Sequence, residues 1–307
     1  MELIRGLHNI QPRHRGCVLT IGNFDGVHLG HQAVLSQLKQ SAHQLGLPAV
    51  VMVFEPQPLE LFNPTAAPAR LSRFREKYHW LARLGLDRLL CVGFSRAFAS
   101  QEPQQFIEQL LLQQLGVKHL IVGDDFCFGK NRAGNFALLQ QAAGQHGFGL
   151  TSTASLKQGE MRVSSTLIRQ ALEQDELEQA SQMLGRPFSL MGRVRHGEKV
   201  GRQLGFPTAN VWLYRNKLPV RGVFAIEAVT AQGHFYGVAN IGARPTLQGK
   251  QEQLEAHFFD FQGDLYGQQI EVLLRHKIRP ERKFASLAEL QQQIQLDAAA
   301  ARHYFSK

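Results

Sequence analysis

Cysteine is scarce in this chain. There are three in 307 residues, Cys17, Cys91 and Cys127, and none forms a C-x-x-C pair. A small, odd count of this kind excludes a disulfide framework and predicts a reducing, cytoplasmic compartment. No apolar run nears the roughly 18 residues of a membrane span. The opening MELIRGLHNIQPRHRG has no apolar core like that of a signal peptide, so no membrane partner is expected. No P-loop of the form G-x-x-x-x-G-K-[ST] occurs, so any phosphoryl transfer needs another phosphate scaffold. The formal charge is +9 and the pI near 9.7, yet no run of five or more Lys/Arg is present. Nor is there an aromatic-rich RNA-binding signature. The basic excess is scattered through both halves. It fits small polyanionic substrates better than nucleic acid.

What is present is a globular balance, 44% hydrophobic and 19% charged, at a length that suits two domains. Short apolar runs at Val18–Gly22, Ala49–Phe54, Arg88–Gly93 and His119–Gly123 end in glycine or a turn. Helical periodicity fills the spaces between them, at Gly30–Leu45, Ser72–Leu84, Pro103–Leu115 and Asn135–His146. This βαβ alternation predicts a parallel sheet covered on both faces, with ligands beyond the carboxyl ends of its strands. A helical pattern through Ile168, Leu172, Leu177 and Met183 stops at Gly185-Arg186-Pro187, which reads as a domain boundary. Residues 1–185 then form one domain and 186–307 the other. The second half reads as antiparallel hairpins, Gly222–Thr230 with His234–Ile241 and Gln253–Phe261 with Gly267–Arg275, predicting a small Greek-key barrel. An amphipathic helix, Ser286–Phe305, ends the chain.

The richest stretch is VLTIGNFDGVHLGH, residues 18–31. It reads as strand, glycine turn, helix N-terminus. Exposed N–H groups at a helix start make a phosphate site. His28 and His31, three apart, lie on one face of the first turn and can donate to phosphate oxygens as charge builds. Gly30 between them leaves the backbone open to close approach. Zinc ligation by the two histidines needs a third ligand, and the glutamate of H-E-x-x-H is missing. H-x-G-H after a strand resembles the nucleotidylyltransferase superfamily. Three more patches fit such a site: Glu55-Pro56-Gln57-Pro58, the loop GDDFCFG (123–129), and VSSTLIR (163–169), whose hydroxyls and arginine open another helix.

Together, GNFDGVHLGHQ, GDDFCFG and VSSTLIR resemble the FMN adenylyltransferase module of the bacterial bifunctional riboflavin kinase/FAD synthetase family, over about 15–185. The resemblance implies a Rossmann-like α/β domain that transfers AMP from MgATP to FMN, giving FAD and pyrophosphate. By the same match, Gly22, Asn23, Asp25, His28, His31, Ser165, Thr166 and Arg169 fall at the ATP site. Asp125 and Phe128 fall toward the flavin.

The second half offers GRQLGFPTAN, residues 201–210. Its glycines, Gly201 and Gly205, let a loop wrap phosphates. Thr208 and Asn210 alternate along an extended segment, so their hard oxygen ligands point the same way and suit Mg2+. Glu255 is a carboxylate within an apolar strand, where burial would raise its pKa toward that of a general base. With RGVFAIE, NIGARPT and LEAHFFDFQGDLYG, these segments resemble the riboflavin kinase module of the same family, over about 186–307. That implies transfer of the γ-phosphate of ATP to the riboflavin 5′-hydroxyl. Glu255 would take the hydroxyl proton, and Thr208 and Asn210 would hold Mg2+ and ATP. Lys199, Gly201, Gly205, Phe206 and Pro207 would lie at the nucleotide. The expected partners are ATP, riboflavin and FMN, with the oligomeric state left open. Two rivals are another nucleotidylyltransferase with an accessory β-barrel, and a nucleic-acid-binding protein keeping a dead nucleotide fold. GFPTAN argues against the first, and intact His28, His31 and Glu255 against the second.

Overall fold

The computed structural model describes all residues except 154–156, 159–160, 198–200, 202–204, 216, 247–248 and 307. The chain divides into two compact units. One comprises Met1–Pro68 with Ser72–Ser164, the other Ala69–Leu71 with Ser165–Lys307.

The first unit is built on six parallel strands: β1 (Glu2–Arg5), β2 (Cys17–Ile21), β3 (Ala49–Glu55), β4 (Arg88–Gly93), β5 (Val117–Gly123) and β6 (Gly149–Thr153). Their order across the sheet is β1-β4-β3-β2-β5-β6. The chain steps from β2 outward to β3 and β4, then returns to the other side of β2 with β5. That reversal makes the gap beyond β2 and β5 the place where an open α/β sheet takes its ligand. Helices α1 (Leu29–Leu45), α2 (Pro58–Phe62), α3 (Phe74–Arg83), α4 (Arg96–Ala99), α5 (Pro103–Gln105) and α6 (Phe136–His146) lie between the strands. α5 runs straight into a π-wound segment, Phe106–Gln114. Leu35, Leu38 and Leu81 pack on one face of the sheet, and Phe106, Leu111 and Leu139 on the other. The central strands are buried on both sides, which is why their sequence reads as unbroken apolar runs rather than as alternation. A small antiparallel pair, β7 (Lys157–Gln158) and β8 (Met161–Arg162), follows.

Two strands escape the sequence pattern. β1 is four residues at a sheet edge, with only Ile4 deeply buried. β6 begins with glycine and carries hydroxyl residues. The single helix expected before Gly185 is two: α7 (Ser165–Glu173) and α8 (Leu177–Leu184). Asp175 sits in the left-handed region at φ 65°, and the Glu176 N–H donates back to Ala171 O at 2.8 Å. This is a helix-ending loop with an aspartate where glycine is commoner. The apolar spacing resumes in α8 closely enough to disguise the break.

The second unit centres on a closed barrel, in the order β10-β13-β12-β11-β14-β9. Its strands are β9 (Ser189–Arg195), β10 (Ala209–Trp212), β11 (Gly222–Thr230), β12 (Gly233–Thr246), β13 (Gly249–Phe258) and β14 (Gln269–Arg279). β11, β12 and β13 form a meander, and the chain then crosses over to place β14 beside β11. Alternation sends Val211, Phe224, Ile241, Leu254, Ala256 and Val272 inward, all at or near zero exposure. The outward faces of Val223, Ala225 and Val238 are covered by α9 (Leu287–Phe305) through Ala298 and Ala301. Ser286 caps α9, accepting from Glu289 N–H at 3.2 Å.

Candidate active sites

In the first unit the turn after β2 is tightly constrained. Phe24 and Val27 both take positive φ, 46° and 44°, which is uncommon for any side chain and an outlier for a β-branched one. Asp25 is buried. Its Oδ1 accepts from Ser72 N–H at 2.8 Å and lies 3.3 Å from Ser72 Oγ, and Ser72 Oγ in turn accepts from Gly26 N–H at 2.8 Å. Asp25 therefore ties the turn to the chain entering α3. Asn23 is exposed at the tip and Gly22 follows directly from β2.

His28 is not inside the helix but caps it. Its Nδ1 accepts from His31 N–H at 3.3 Å, which assigns the ring proton to Nε2 and leaves that N–H as a donor. The His28 and His31 rings stack, with centroids 3.6 Å apart and planes 19° from parallel. Phe24 lies against His31 at 4.9 Å. A Cβ on Gly30 would come within 3.2 Å of the His28 ring and 3.4 Å of Val163 O, so this glycine also seats that ring. His31 Nδ1 is buried without a hydrogen-bond partner. Burial, then the neighbouring His28 and the Lys77 ammonium, hold the His31 imidazole well below the usual histidine range. The His31 imidazole is thus held neutral behind the His28 ring. Lys77 on α3 is wholly buried and is absent from the sequence argument, where it reads as one polar residue of an amphipathic helix.

At the neighbouring strand end, Asp124 and Asp125 are exposed and Phe126 is half-buried. Phe128 is buried in the core, 5.0 Å from Phe106 and 5.6 Å from Phe126, so Phe126 presents the ring edge nearer to solvent. Phe62 on α2 is 56% exposed at the carboxyl end of β3 and lies 5.9 Å from Phe94. It offers a second surface for a flat ring, one that no motif marks. Ser165, Thr166 and Arg169 open α7 in the second unit, where Arg169 Nε donates to Ala69 O at 2.6 Å.

The barrel brings its motifs together through register. Asn210 on β10 stands directly opposite Glu255 on β13, and Asn240 on β12 stands opposite Glu255 from the other side. Side chains so paired share a face, about 5 Å apart. Asn240 lies in NIGARPT but carries no role in the sequence reading, because only strand pairing reveals its neighbour. Alternation turns Glu255 out of the apolar core onto the half-buried outer face, with Leu254 and Ala256 inside. Asn210 Oδ1 accepts from Gln253 Nε2 at 2.6 Å. Phe206 N–H donates to Gly201 O at 2.7 Å, and a Cβ on Gly201 would strike Phe206 O. Gly205 uses a positive φ of 84°. His257 Nδ1 lies 2.9 Å from Pro207 O, and the His257 ring meets Phe206 edge-on at 5.3 Å. Lys199 lies outside the described residues.

Two clefts flank Thr208. One, of about 280 Å3, is lined by Gly201, Thr208, Asn240 and Glu255, with α9 residues Leu290 and Ile294 opposite. The other, of about 250 Å3, is lined by Pro207, Thr208, Phe258, Phe261, Asp264 and Tyr266. Among the described residues no group of three His, Cys, Asp or Glu side chains is arranged to hold a metal ion. Thr208 and Asn210 do supply hard oxygen donors, the kind Mg2+ accepts.

Two family models divide the chain along these lines. FAD synthetase matches residues 10–167 and riboflavin kinase matches 184–305. A bifunctional riboflavin kinase/FMN adenylyltransferase of Escherichia coli is 53% identical, covering 99% of this chain and 98% of its own. The chain belongs to the bifunctional riboflavin kinase/FMN adenylyltransferase family. Relatives of the same name in Haemophilus influenzae and Pseudomonas fluorescens are 49% and 48% identical, over 100% and 98% of this chain and 100% and 97% of theirs. A crystal structure from Streptococcus pneumoniae, titled a macrolide-efflux protein, shares the fold at a TM-score of 0.81 and 28% identity, covering 98% of this chain and 99% of that one. Its title names an activity that the motifs here do not suggest. Among the described residues no helix is long and apolar enough to cross a membrane.

The buried His31 gives a pH prediction. The unfolded chain takes up a proton near pH 6.5 that the folded ring, with its lowered pKa, refuses. This contribution to stability is intact above pH 6.5 and is lost as pH falls toward the folded value. Melting the first unit between pH 7.5 and 5 should show a declining Tm, and His31→Gln should flatten that decline. An identical slope in the variant would remove His31 as its source.

Proposed function

We infer that this chain makes flavin cofactors in two steps: ATP-dependent phosphorylation of riboflavin to FMN, then adenylylation of FMN by ATP to FAD and pyrophosphate. Family membership along the whole chain supports both activities. The geometry that carries the reading is the placement of each motif set at a ligand-binding edge. The H-x-G-H turn stands at the β2/β5 reversal, and Glu255 stands in register between Asn210 and Asn240.

For adenylyl transfer, an FMN phosphate oxygen attacks the α-phosphorus of ATP and pyrophosphate leaves. The nucleophile is already ionised, so no side chain has to remove its proton. The work is positioning and charge stabilisation. His28 Nε2–H and the free N–H groups at the start of α1 donate to the phosphate oxygens, on which charge grows. A neutral His31 stacked behind His28 keeps that ring in place. Asp125 with Phe126, Phe128 and Phe62 is proposed to receive the flavin. Ser165, Thr166 and Arg169 are proposed phosphate-binding groups on the motif alone.

For phosphoryl transfer, Glu255 accepts the proton of the riboflavin 5′-hydroxyl as its oxygen attacks the γ-phosphorus and ADP leaves. Thr208 lines both clefts, and the transferred phosphate is proposed to lie beside it. Riboflavin is assigned to the cleft under α9, and the adenine to the one lined by Phe258 and Tyr266. Mg2+, bound with ATP by the Thr208 and Asn210 oxygens, would neutralise phosphate charge there. Cys17 and Cys91 are free and buried and Cys127 is free, in keeping with a reducing cytoplasm as the proposed location. The direct test is incubation with riboflavin and MgATP, followed by chromatography for FMN, FAD, ADP and pyrophosphate.

His28→Ala should lower FAD formation about 10²–10³-fold, the usual effect of losing one preorganised donor, and leave FMN formation nearly unchanged. His28→Asn keeps an oxygen to cap α1 but lacks the imidazole donor, so it should fold normally and stay slow. Full activity in His28→Asn would reduce His28 to a cap.

Glu255→Gln should cut riboflavin phosphorylation by about 10²–10⁴-fold, the contribution of a positioned general base, while FAD synthesis from supplied FMN survives. Rates at saturating riboflavin and MgATP, with thermal melts as control, decide this. Unchanged turnover would pass the role to another acid, Asp260 or Asp264.

We also propose that the two activities divide at Gly185-Arg186-Pro187. A 186–307 fragment should phosphorylate riboflavin without making FAD. A folded fragment with no kinase activity would refute the division, and a Ser165–Lys307 fragment then tests whether α7 and α8 are needed.

A further inference from the structure

The cleft beside Glu255 is closed on its outer side by α9, and a buried ion pair is the contact that ties α9 to the cleft wall. Asp297 is 3% exposed. Its Oδ1 accepts from Arg279 Nε at 2.9 Å, its Oδ2 from Arg279 Nη2 at 2.7 Å, and Oδ1 also from Gln293 Nε2 at 2.8 Å. Arg279 Nη1 donates to Pro280 O at 3.0 Å. The same guanidinium lies 5.6 Å from the centre of the Phe284 ring, which Arg282 also covers at 4.7 Å. Arg279, Phe284 and Asp297 all line the cleft that holds Glu255. One planar cation therefore joins three of its walls: the end of β14, the 280–284 segment and α9.

The C-terminal end of α9 is seated by rings, Tyr304 stacked on His276 and Phe305 on Tyr236, but beside Asp297 its apolar seat is made of small groups, Ala298 and Ala301 against Val223, Ala225 and Val238. Such residues permit close approach but fix depth and tilt poorly, since they offer few shaped contacts. A two-pronged guanidinium–carboxylate pair fixes both, because its hydrogen bonds are directional in a plane. Buried pairs of this kind add little net stability over apolar replacements, and their best-attested use is to set register.

We propose that Arg279 and Asp297 are positioning residues for riboflavin: the pair sets the distance between α9 and the Asn210–Glu255–Asn240 row, and so the fit of the flavin ring. This rests on assigning riboflavin to that cleft. Neither residue takes part in proton or phosphoryl transfer. Loosening the pair therefore weakens riboflavin capture more than it slows the chemical step.

The test is steady-state kinetics on the full chain with KM measured for riboflavin and for ATP, together with melting. Asp297→Asn and Arg279→Lys should each raise the riboflavin KM tenfold or more, with kcat within about threefold, the signature of lost uniform binding. FAD synthesis from supplied FMN should be unaltered. The double variant R279M/D297L replaces the pair by apolar groups. Its Tm should recover toward wild type while the riboflavin KM stays high. A purely structural pair would instead show KM returning with Tm. An unchanged riboflavin KM in both single variants overturns the proposal, as does a fall in kcat with KM constant. A raised ATP KM with riboflavin unaffected would overturn the proposal and the cleft assignment together. If the wild-type chain forms no FMN from riboflavin at all, the kinase reading itself fails.

Discussion

A slip of one residue between β10 and β13 would turn Asn210 or Glu255 to the opposite face of the barrel, because side chains alternate with a period of two. Barrel closure forbids that slip. Leu254 and Ala256 fill the interior on one parity, and moving them out would expose them while burying Glu255. Inward packing thus dictates which residues face the cleft, and the chemistry is placed by atoms that never meet substrate. The parallel sheet obeys a related constraint. Val18 to Ile21 are held between β3 and β5, so the turn after Ile21 has one possible exit, at the reversal of strand order.

The two proposed sites answer the same problem of phosphate charge with different resources. The first offers backbone N–H groups at a helix start and the stacked His28 and His31 rings. The second offers hydroxyl, amide and carboxylate groups at Thr208, Asn210 and Glu255, brought together by strand pairing. The proposed chemistry needs no covalent intermediate at either. The surplus of basic residues is spread along the chain, which suits the capture of anionic substrates.

Much of this was legible in the sequence where local order and function coincide. The strand, turn and helix around His28 and His31 are contiguous, and the barrel hairpins carry their own turn signals. What could not be read depends on pairing or on tertiary partners. Asn240 gains meaning only beside Glu255. Asp25 resembles a ligand-binding acid but is occupied with Ser72, 47 residues away. The break between α7 and α8 lies in polar residues that a continuous helix would also tolerate. Glu255 could be recognised as a lone acid among apolar neighbours, but the inside and the outside of a strand look alike until the barrel closes.

The turn that carries His28 holds Val27 at a φ of 44° and Phe24 at 46°, both buried. A left-handed side-chain-bearing residue costs roughly 1–2 kcal/mol, and branching at Val27 adds to it. Glycine at either position would relieve the backbone but empty buried space, a loss of about 2–5 kcal/mol for side chains of this kind. The packing beneath the turn therefore outweighs the strain within it, and the same side chains that stabilise the first unit also keep the loop in its unusual shape.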